Sequence, residues 1–332
     1  MFEKVLLLPF LLSFLVTLFV LPYWIKKAKS AGLIGKDIHK LDKREVAEGG
    51  GIAVLMGFVF GTLFYIALKT FVLKTDVTTV EIFALLTTII IVGVIGFVDD
   101  VLVWRVGLRW RIRIFLLIFA AIPLMVINAG ESTMMGIDFG LIYPLLFIPL
   151  GIVGTTATFN FLAGYNGLEA SQGMIILIAL SIVTWLTGNS WLAVISLIMV
   201  FCLIAFYIFN KNPASVFPGD VLTYPLGALI GIIAILGNIE KMAIFFFIPY
   251  ILEVGLKVRG KIQKQSFGKL NEDGSLEVPY KKFYGLEHVS IWLLKRFKKD
   301  GKAYEKEVVW LINLFQIVVI LLGFALFGLH LI

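Results

Sequence analysis

The stretch EIFALLTTIIIVGVIGFVDD, residues 81–100, decides the fold. Seventeen uncharged and mostly apolar residues lie between Glu81 and Asp99, and a helix of about 20 such residues is long enough to cross the hydrocarbon core of a bilayer. Stretches of this kind recur along the chain, so that 60% of the 332 residues are hydrophobic and only 15% are charged. Soluble domains average about 45–50% apolar and about 25% charged residues. The sequence therefore predicts an all-α, polytopic membrane protein.

Ten apolar stretches predict about ten transmembrane helices in a single integral membrane domain, residues 1–332. We interpret the first as a retained helix, because Pro22-Tyr23-Trp24 and then lysines follow it, where a signal peptide would have a small-residue cleavage site. The polar segment at about 258–308 is predicted to be a loop insertion. The predicted spans are about 4–24, 50–70, 80–98, 112–129, 139–158, 171–187, 190–209, 221–237, 241–257 and 309–331.

Lysine and arginine are distributed unevenly between the predicted loops. The loops that follow spans 1, 3, 7 and 9 hold seven, four, one and thirteen of these residues, which makes 25 of the 29 in the chain. Basic residues accumulate in cytoplasmic loops, so the odd-numbered loops are predicted in the cytoplasm and both termini outside. In a prokaryote the membrane would be the plasma membrane. The net charge of +7 is explained in this way, and no nucleic-acid partner is expected.

Acidic and amide side chains stand at the ends of spans, all on the face predicted to be cytoplasmic. Asp99 and Asp100 end span 3, and Asp220 begins span 8. The segment 160–169, NFLAGYNGLE, places two Asn, two Gly and one Glu between two apolar spans, and no packing argument accounts for it. Charged groups near a membrane are costly, so this arrangement indicates function. The first loop adds Asp37 and Glu48.

Most of these features also have an ordinary structural interpretation. Asp99 and Asp100 would end a helix at the interface, and Asp220 would cap span 8. The run Arg109-Trp110-Arg111 is typical of a basic anchor with an interfacial Trp, and the lysines of the last loop are typical of solvated surface. The segment 160–169 is the feature that this interpretation explains least well.

The residue types favour phosphoryl transfer with a divalent cation. Carboxylate and amide oxygens suit Mg²⁺, which usually keeps several waters and binds one or two carboxylates together with substrate phosphates, and they suit Mn²⁺ as well. Lys and Arg nearby suit phosphate. The histidines His39, His288 and His330 stand far apart without metal-ligand spacing, and the single cysteine, Cys202, lies in an apolar run. Histidine- or cysteine-based metal chemistry is therefore disfavoured.

Six blocks of the sequence resemble the polyprenyl-phosphate N-acetylhexosamine-1-phosphate transferases and occur in the order of that family. The block LAGYNGLE, residues 162–169, is similar to the eukaryotic and archaeal branch that acts on UDP-GlcNAc and dolichyl phosphate. The bacterial peptidoglycan-precursor branch usually has an Asp-Gly pair there and a histidine-rich last loop. The blocks are AGLIGKD (31–37) with Glu48, GFVDDVL (96–102), LRWR (108–111), NFLAGYNGLEA (160–170), NPASVFPGD (212–220) and GSLEVPYKKF (274–283).

The resemblance implies roles for individual residues. Asn160 and Asp220 correspond to ligands of Mg²⁺. Asp99 and Asp100 correspond to a pair of catalytic aspartates, and three roles stay open for this pair: a base, a negative charge near the metal, or a structural role. Asn166 corresponds to a residue near the uridine. The substrate-binding residues implied further are Glu169 of the same block and, in the nucleotide-binding first loop, Asp37, Ile38 and Glu48.

The sequence departs from the family at three places. Arg113 stands where a lysine that contacts the lipid phosphate is expected, and Arg offers a planar fork instead of a compact ammonium group. Three extra residues lie between Asp100 and Leu108. Lys264-Gln265-Ser266 replaces an Arg-His-Arg run that holds the sugar diphosphate, so the charge is expected from Arg259, Lys261 or Lys264.

The implied reaction is the Mg²⁺-dependent transfer of GlcNAc-1-phosphate from UDP-GlcNAc to a polyprenyl (dolichyl) phosphate in the membrane. It gives polyprenyl-diphospho-GlcNAc and UMP, and begins lipid-linked oligosaccharide assembly for N-glycosylation. A homodimer is expected from the resemblance alone.

Three alternatives stay open. The first is the same reaction with another UDP-HexNAc or another polyprenol. The second is a transporter or flippase, whose acidic residues should stand in the middle of discontinuous spans rather than at span ends. The third is a structural or assembly membrane protein, which would not need the segment 160–169.

Overall fold

Helices make up most of the described chain. The computed structural model describes residues 4–75, 78–103, 109–134 and 137–328. Arg105, one of the four basic residues of the loop after span 3, lies outside these ranges, as do Leu108 and His330. Within them the six strands are only two or three residues long. The predicted all-α fold is confirmed.

The helices follow the predicted spans closely. Seven of them are long and apolar enough to cross a membrane, counting Gly51–Leu73 as one helix that ends in a wider π-type turn. The helices are α1 Leu7–Ser30, α2 Gly51–Ala67, α3 Thr79–Val103, α4 Trp110–Ala120, α5 Ile122–Val126, α6 Ile148–Phe159, α7 Leu168–Leu186, α8 Ser190–Asn210, α9 Asp220–Gly237, α10 Glu240–Phe246, α11 Ile248–Arg259, α12 Leu286–Phe297 and α13 Glu305–Phe327.

The predicted spans 4, 5 and 9 are not single regular helices, and each contains a proline near its irregularity. Pro123 stands at the start of α5, which continues α4, and Pro249 stands at the start of α11, which continues α10. Span 5 is a π-type turn, Tyr143–Phe147, that leads into α6. Proline has no N–H to donate and its ring clashes with the carbonyl four residues earlier, so the regular helix ends at these points.

The helix α9 lies at the centre of the bundle. It contacts α2, α3, α6, α7, α8 and α10, and sixteen of its eighteen residues are buried. Two glycines allow this close packing: a Cβ added at Gly227 would lie 2.5 Å from the carbonyl oxygen of Thr155 on α6, and one at Gly96 on α3 would lie 2.3 Å from that of Asp220. The start of α9 is therefore packed closely against α3, and its middle against α6.

Three short antiparallel ribbons lie in the loops. The ribbon formed by β1 (Ile34–Lys36) and β2 (Glu45–Ala47) carries Asp37 and Glu48 directly after its two strands, at opposite ends. The others are β3 (Thr133–Met134) with β4 (Ile137–Asp138), and β5 (Lys269–Leu270) with β6 (Leu276–Glu277). The β5–β6 ribbon and α12 lie in the segment between α11 and α13.

Backbone hydrogen bonds join the first loop to the loop between α8 and α9. Ala47 pairs with Val216 in a parallel bridge. The N–H of Phe217 donates to Ala47 O at 2.8 Å, and the N–H of Gly50 donates to Phe217 O at 2.9 Å. These bonds place the end of β2 next to the start of α9, although about 170 residues separate them in sequence.

Candidate active site

A cavity of about 620 Å³ opens at the end of the bundle where the odd-numbered loops lie. Its walls come from the first loop, the segment 160–169, the loop before α9 and the segment after α11. These four segments are far apart in sequence, so the structure brings together residues that the sequence placed only on a common face. The lining residues named from the sequence are Asp37, Ile38, Glu48, Asn160, Asn166, Glu169, Asp220 and Lys264.

Asp220 and Asn160 reach the cavity from the ends of two helices. Asn160 directly follows α6, and Asp220 is the first residue of α9. Gly219 has a φ of 70°, a left-handed value that favours glycine, and it turns the chain into α9. The Oδ1 atom of Asn160 accepts a hydrogen bond from the hydroxyl of Thr223 at 3.0 Å. An amide oxygen has a second lone pair, so it keeps the capacity to bind another group.

The carboxylate of Asp100 caps the N-terminus of α9. Its Oδ1 accepts from the N–H of Asp220 at 2.7 Å, and its Oδ2 accepts from the N–H of Val221 at 3.0 Å. The first N–H groups of a helix have no partners within the helix, so this carboxylate fixes the position of Asp220. A Cβ added at Gly219 would lie 2.3 Å from Asp100 Oδ2, which explains the glycine at this position.

Asp99 is fully buried and pairs with Arg113. The Arg113 Nε atom lies 2.6 Å from Asp99 Oδ2 and forms an ion pair with it. The hydrogen bond between the two side chains runs from Arg113 Nη2 to Asp99 Oδ1, at 3.1 Å. The hydroxyl of Tyr224 donates to Asp99 Oδ2 at 3.2 Å. Asp99, Asp100 and Arg113 are not among the residues that line the cavity. Their catalytic and acceptor-binding roles stay predictions.

The donor set at the start of α9 fits Mg²⁺. The acidic groups that act electrostatically on Asp220 include Asp100, Asp99 and Glu48, and the guanidinium of Arg113 acts on it with the opposite sign. With Asp220 itself, four acidic groups thus face one basic group, and the excess of acidic groups favours a cation. Asp220 and Asn160 supply hard oxygen donors toward an open cavity, where waters and phosphate oxygens can complete the coordination that Mg²⁺ prefers. The same donors suit Mn²⁺.

A second convergence of possible ligands, Asp37, His39 and Glu305, does not fit a cation. Each offers one atom within 4.8 Å of the others. Protein donors already hold both carboxylates. Asn166 donates to Asp37 Oδ2 through its side-chain amide and to Glu305 Oε1 through its backbone N–H, both at 2.8 Å. The ammonium of Lys40 contacts Glu305 Oε2. A lysine in this position supplies the positive charge that a metal would bring.

Glu169 holds the segment 160–169 in its shape. Its Oε1 accepts from the N–H of Gly164 at 2.7 Å. Gly164 and Gly167 have φ values of 99° and 83°, which glycine adopts at no steric cost. Within the described residues Glu169 Oε2 has no hydrogen-bond partner, and Glu169 lines the cavity.

Glu48 is a carboxyl group with a raised pKa at the cavity wall. Burial, followed by the negative charges of Asp220 and Glu169, raises the pKa of Glu48 to about 7. Its backbone oxygen accepts from the indole N–H of Trp24 at 2.9 Å, so α1 holds it in place. Glu48 therefore changes charge near neutral pH.

The structure separates the three basic residues that were named in the last loop. Lys264 lines the cavity, with its Nζ 5.2 Å from the centre of the Tyr280 ring. Arg259 and Lys261 are exposed and do not line it. The helix α11 ends at Arg259, and positive φ values at Lys261 (55°) and Ile262 (57°) reverse the chain, so Lys264 reaches the cavity.

Comparison with known proteins decides the family. The model of glycosyl transferase family 4 matches residues 82–238. A protein of Saccharolobus solfataricus, provisionally named UDP-N-acetylglucosamine–dolichyl-phosphate N-acetylglucosaminephosphotransferase, is 37% identical over 301 residues, which cover 88% of this chain and 89% of that protein. The chain belongs to glycosyl transferase family 4. The family predicted from the sequence is confirmed, and the protein is a membrane-embedded transferase.

Relatives of this family 4 member occur in other lineages. The Dictyostelium discoideum UDP-N-acetylglucosamine–dolichyl-phosphate N-acetylglucosaminephosphotransferase is 30% identical, over 72% of this chain and 68% of its own. The phospho-N-acetylmuramoyl-pentapeptide-transferase of Halalkalibacterium halodurans is also 30% identical, over 79% of this chain and 86% of its own. The segment that matches the family model contains Asp99, Asp100, Asn160 and Asp220.

Sequence reasoning missed Lys257 at the site of this family 4 member. Lys257 lines the cavity, donates to Ser266 Oγ at 2.7 Å and lies 3.5 Å from Glu253 Oε1. The Ser266 hydroxyl donates to Glu287 Oε1 at 3.1 Å, and burial, followed by the charge of Glu253, raises the pKa of Glu287. Lys257 therefore faces the carboxyl group of Glu253 directly and that of Glu287 only through Ser266. The sequence signal that could have identified Lys257 is its position four residues after Glu253, which places the two side chains on the same face of a helix.

Proposed function

We propose that the protein transfers GlcNAc-1-phosphate from UDP-GlcNAc to a polyprenyl phosphate of the dolichyl type and releases UMP. The observation that carries this proposal is a charged cavity at one end of the bundle, close to an apolar groove in its side. A water-soluble sugar nucleotide and a membrane lipid can react only where such surfaces meet. The names of the Saccharolobus and Dictyostelium relatives support these two substrates.

The apolar groove lies between α6, α9, α10 and α11 and has a volume of about 230 Å³. Leu150 and Ile251, on its edges, are 60% and 49% exposed, as expected of residues that face lipid. Thr155, also in its wall, stands five residues before Asn160, a rise of about 7.5 Å along a helix. One end of the groove thus lies near Asn160, and the groove extends from there toward Met134 and Glu240 at the other end of the bundle. Its apolar walls suit the hydrocarbon chain of the acceptor.

The reaction needs little help from a base. A phosphate monoester has a second pKa of about 6, so an acceptor oxygen is already an anion near neutral pH. That oxygen attacks the phosphorus that carries the sugar. The bond from this phosphorus to the oxygen of UMP breaks, and UMP leaves with the electron pair. One diphosphate linkage is broken and one is formed, so no ATP is consumed.

The residues around the cavity position and neutralise charge. Asp220 and Asn160 would hold Mg²⁺, which when bound neutralises the charge on the diphosphate. Asp100 keeps Asp220 in place through the N-terminus of α9. Lys257 and Lys264 supply positive charge to the phosphates from the opposite wall.

We further propose that the cavity opens to the cytoplasm, because the predicted loops on its side carry most of the basic residues. In a prokaryotic cell the membrane is then the plasma membrane. The product enters lipid-linked oligosaccharide assembly for N-glycosylation, and the protein works as a homodimer by analogy with its family.

A transfer assay on purified, detergent-solubilised protein tests the proposal. UDP-GlcNAc labelled in the sugar and dolichyl phosphate are supplied with and without Mg²⁺, and lipid-extracted label and free UMP are counted. The proposal predicts one UMP for each sugar in lipid, only with Mg²⁺, and no product from Asp220→Asn. Release of UDP would indicate plain glycosyl transfer. A preference for another UDP-sugar would change the substrate, and no turnover in folded protein would favour a transporter.

A further inference from the structure

Glu305 lies where several segments of the site meet. It is the first residue of α13 and only 5% of it is exposed. Its Oε1 accepts from the backbone N–H of Asn166 at 2.8 Å. Its Oε2 accepts from the ammonium of Lys40 and from the side-chain amide of Asn212. One carboxylate thus joins the first loop, the segment 160–169 and the loop before α9 to the last membrane helix.

The same contacts extend to Asp37. The His39 Nδ1 atom lies 3.7 Å from Glu305 Oε1, and the His39 ring lies on Tyr165 with 4.3 Å between ring centres. The backbone N–H of His39 donates to Asp37 Oδ1 at 3.2 Å, and the Asn166 side-chain amide donates to Asp37 Oδ2 at 2.8 Å. Asn166 is therefore fixed twice, through its backbone by Glu305 and through its side chain by Asp37.

Glu305 contacts residues that line the cavity but does not line the cavity itself. Asp37 and Asn166 line the 620 Å³ cavity, whereas Glu305 and Lys40 line a separate pocket of about 550 Å³. One N–H of the Asn166 amide is bound to Asp37, which fixes the orientation of the amide and leaves its oxygen and its second N–H for a ligand. Any loss of the Glu305 contacts would let both cavity residues move.

We propose that Glu305 is a positioning residue that sets the affinity for the nucleotide donor by holding Asn166 and Asp37 in place. The proposal rests on the proposed function, since it takes the cavity to be the donor site. It assigns Glu305 no contact with the lipid acceptor, whose groove lies along α6 and α11.

Glu305→Gln is a sharp test because the two side chains have nearly the same shape. The carboxylate accepts hydrogen bonds at both oxygens, but glutamine has only one oxygen and its NH₂ group cannot accept. If that oxygen stays with the N–H of Asn166, the NH₂ group meets the donors of Lys40 and Asn212. If it turns toward them, Asn166 loses its acceptor. One side of the network must therefore open.

The experiment compares Glu305→Gln with Glu307→Gln, a matched control two residues along the same helix. Glu307 caps α13 and pairs with Lys298 at 2.7 Å, and it does not line the cavity. A buried group that loses its partner weakens an interaction about tenfold or more. We expect Glu305→Gln to raise the donor KM and the Kd for UMP about tenfold, with the acceptor KM unchanged, and we expect neither change in Glu307→Gln.

A purely structural role would give another pattern. Fewer folded molecules would lower kcat and leave both KM values and the Kd for UMP unchanged, and this result would overturn the proposal. If Glu305→Gln does not fold, Glu305→Asp replaces it, since the shorter side chain keeps the charge that faces Lys40 and withdraws its oxygens from the N–H of Asn166. An unchanged donor KM and an unchanged Kd for UMP in Glu305→Asp would then overturn the proposal. Failure of the wild-type enzyme to transfer sugar phosphate would instead refute the proposed function.

Discussion

Removal of the Asp100 carboxylate tests whether this residue acts as a helix cap or as a base. Its two oxygens accept the N–H groups of Asp220 and Val221, so Asp100→Ala leaves both donors without a partner. Asp100→Asn keeps one oxygen and so one of the two bonds. The cap interpretation therefore predicts a graded loss, larger for Ala than for Asn.

The size of the loss follows from these contacts. Each unpaired N–H costs about 1 kcal/mol, the low end of the range for buried groups, because Asp220 is half-buried and the start of α9 lines the open cavity, although Val221 itself is buried. Loss of the negative charge at the N-terminus of α9 adds about 0.3–1 kcal/mol. The sum is about 2–3 kcal/mol, and 1.36 kcal/mol corresponds to a tenfold change in rate. Turnover should fall about 30- to 150-fold in Asp100→Ala and about 10- to 30-fold in Asp100→Asn, which loses one bond and the charge.

The assay is sugar-phosphate transfer measured against Mg²⁺ concentration and pH, with melting temperature as the control for folding. A displaced Asp220 predicts a higher Mg²⁺ requirement in both variants and an unchanged shape of the pH–rate profile. A base contributes about 10²–10⁴-fold. Loss of one limb of the pH profile in Asp100→Asn, with wild-type melting temperature and Mg²⁺ requirement, would refute the cap interpretation.

Three further predictions concern other contacts of the site. Asn160→Ala should raise the Mg²⁺ concentration needed for half-maximal turnover, and an unchanged metal dependence would remove Asn160 from the metal site. Arg113→Ala leaves the buried Asp99 without its ion pair, so the melting temperature should fall and Arg113→Lys should recover part of it; an unchanged melting temperature would contradict this. The pKa of Glu48 is raised to about 7 from an ordinary 4.5, so ionisation of Glu48 destabilises the folded state. This destabilisation is absent below about pH 4.5 and reaches its full size above about pH 7. In EDTA, the melting temperature of Glu48→Gln relative to wild type should therefore rise between pH 5 and pH 8, and a constant difference would contradict the shift.

The fold followed from the sequence because a membrane span needs a long apolar segment, and that signal is local. The helices α2, α7, α8 and α9 begin and end within about three residues of the predicted spans, whereas α1 and α3 run about six and five residues past the ends predicted for them. The breaks at Pro123 and Pro249 and the π-type turn at Tyr143–Phe147 were not predicted, since a proline near a helix end is also compatible with a continuous helix.

The cavity was predictable only in part. Asp220, Asn160 and the segment 160–169 were identified because polar groups at the ends of apolar spans are unusual. Glu305 was missed because span 10 was placed four residues too late, and because an acidic residue in the first turn is an ordinary feature of a helix. Lys257 was missed because the sequence does not show that the chain reverses at Lys261, which decides which lysines face the cavity.

The position of the transferred phosphorus tests the central claim most directly. Two preparations of UDP-GlcNAc are used, one with ³²P in the phosphate next to uridine and one with ³²P in the phosphate next to the sugar, each with unlabelled dolichyl phosphate and Mg²⁺. Sugar-phosphate transfer predicts that the label next to the sugar enters the lipid fraction and that the label next to uridine stays in water as UMP. Transfer of GlcNAc into lipid with both labels left in water would contradict the account.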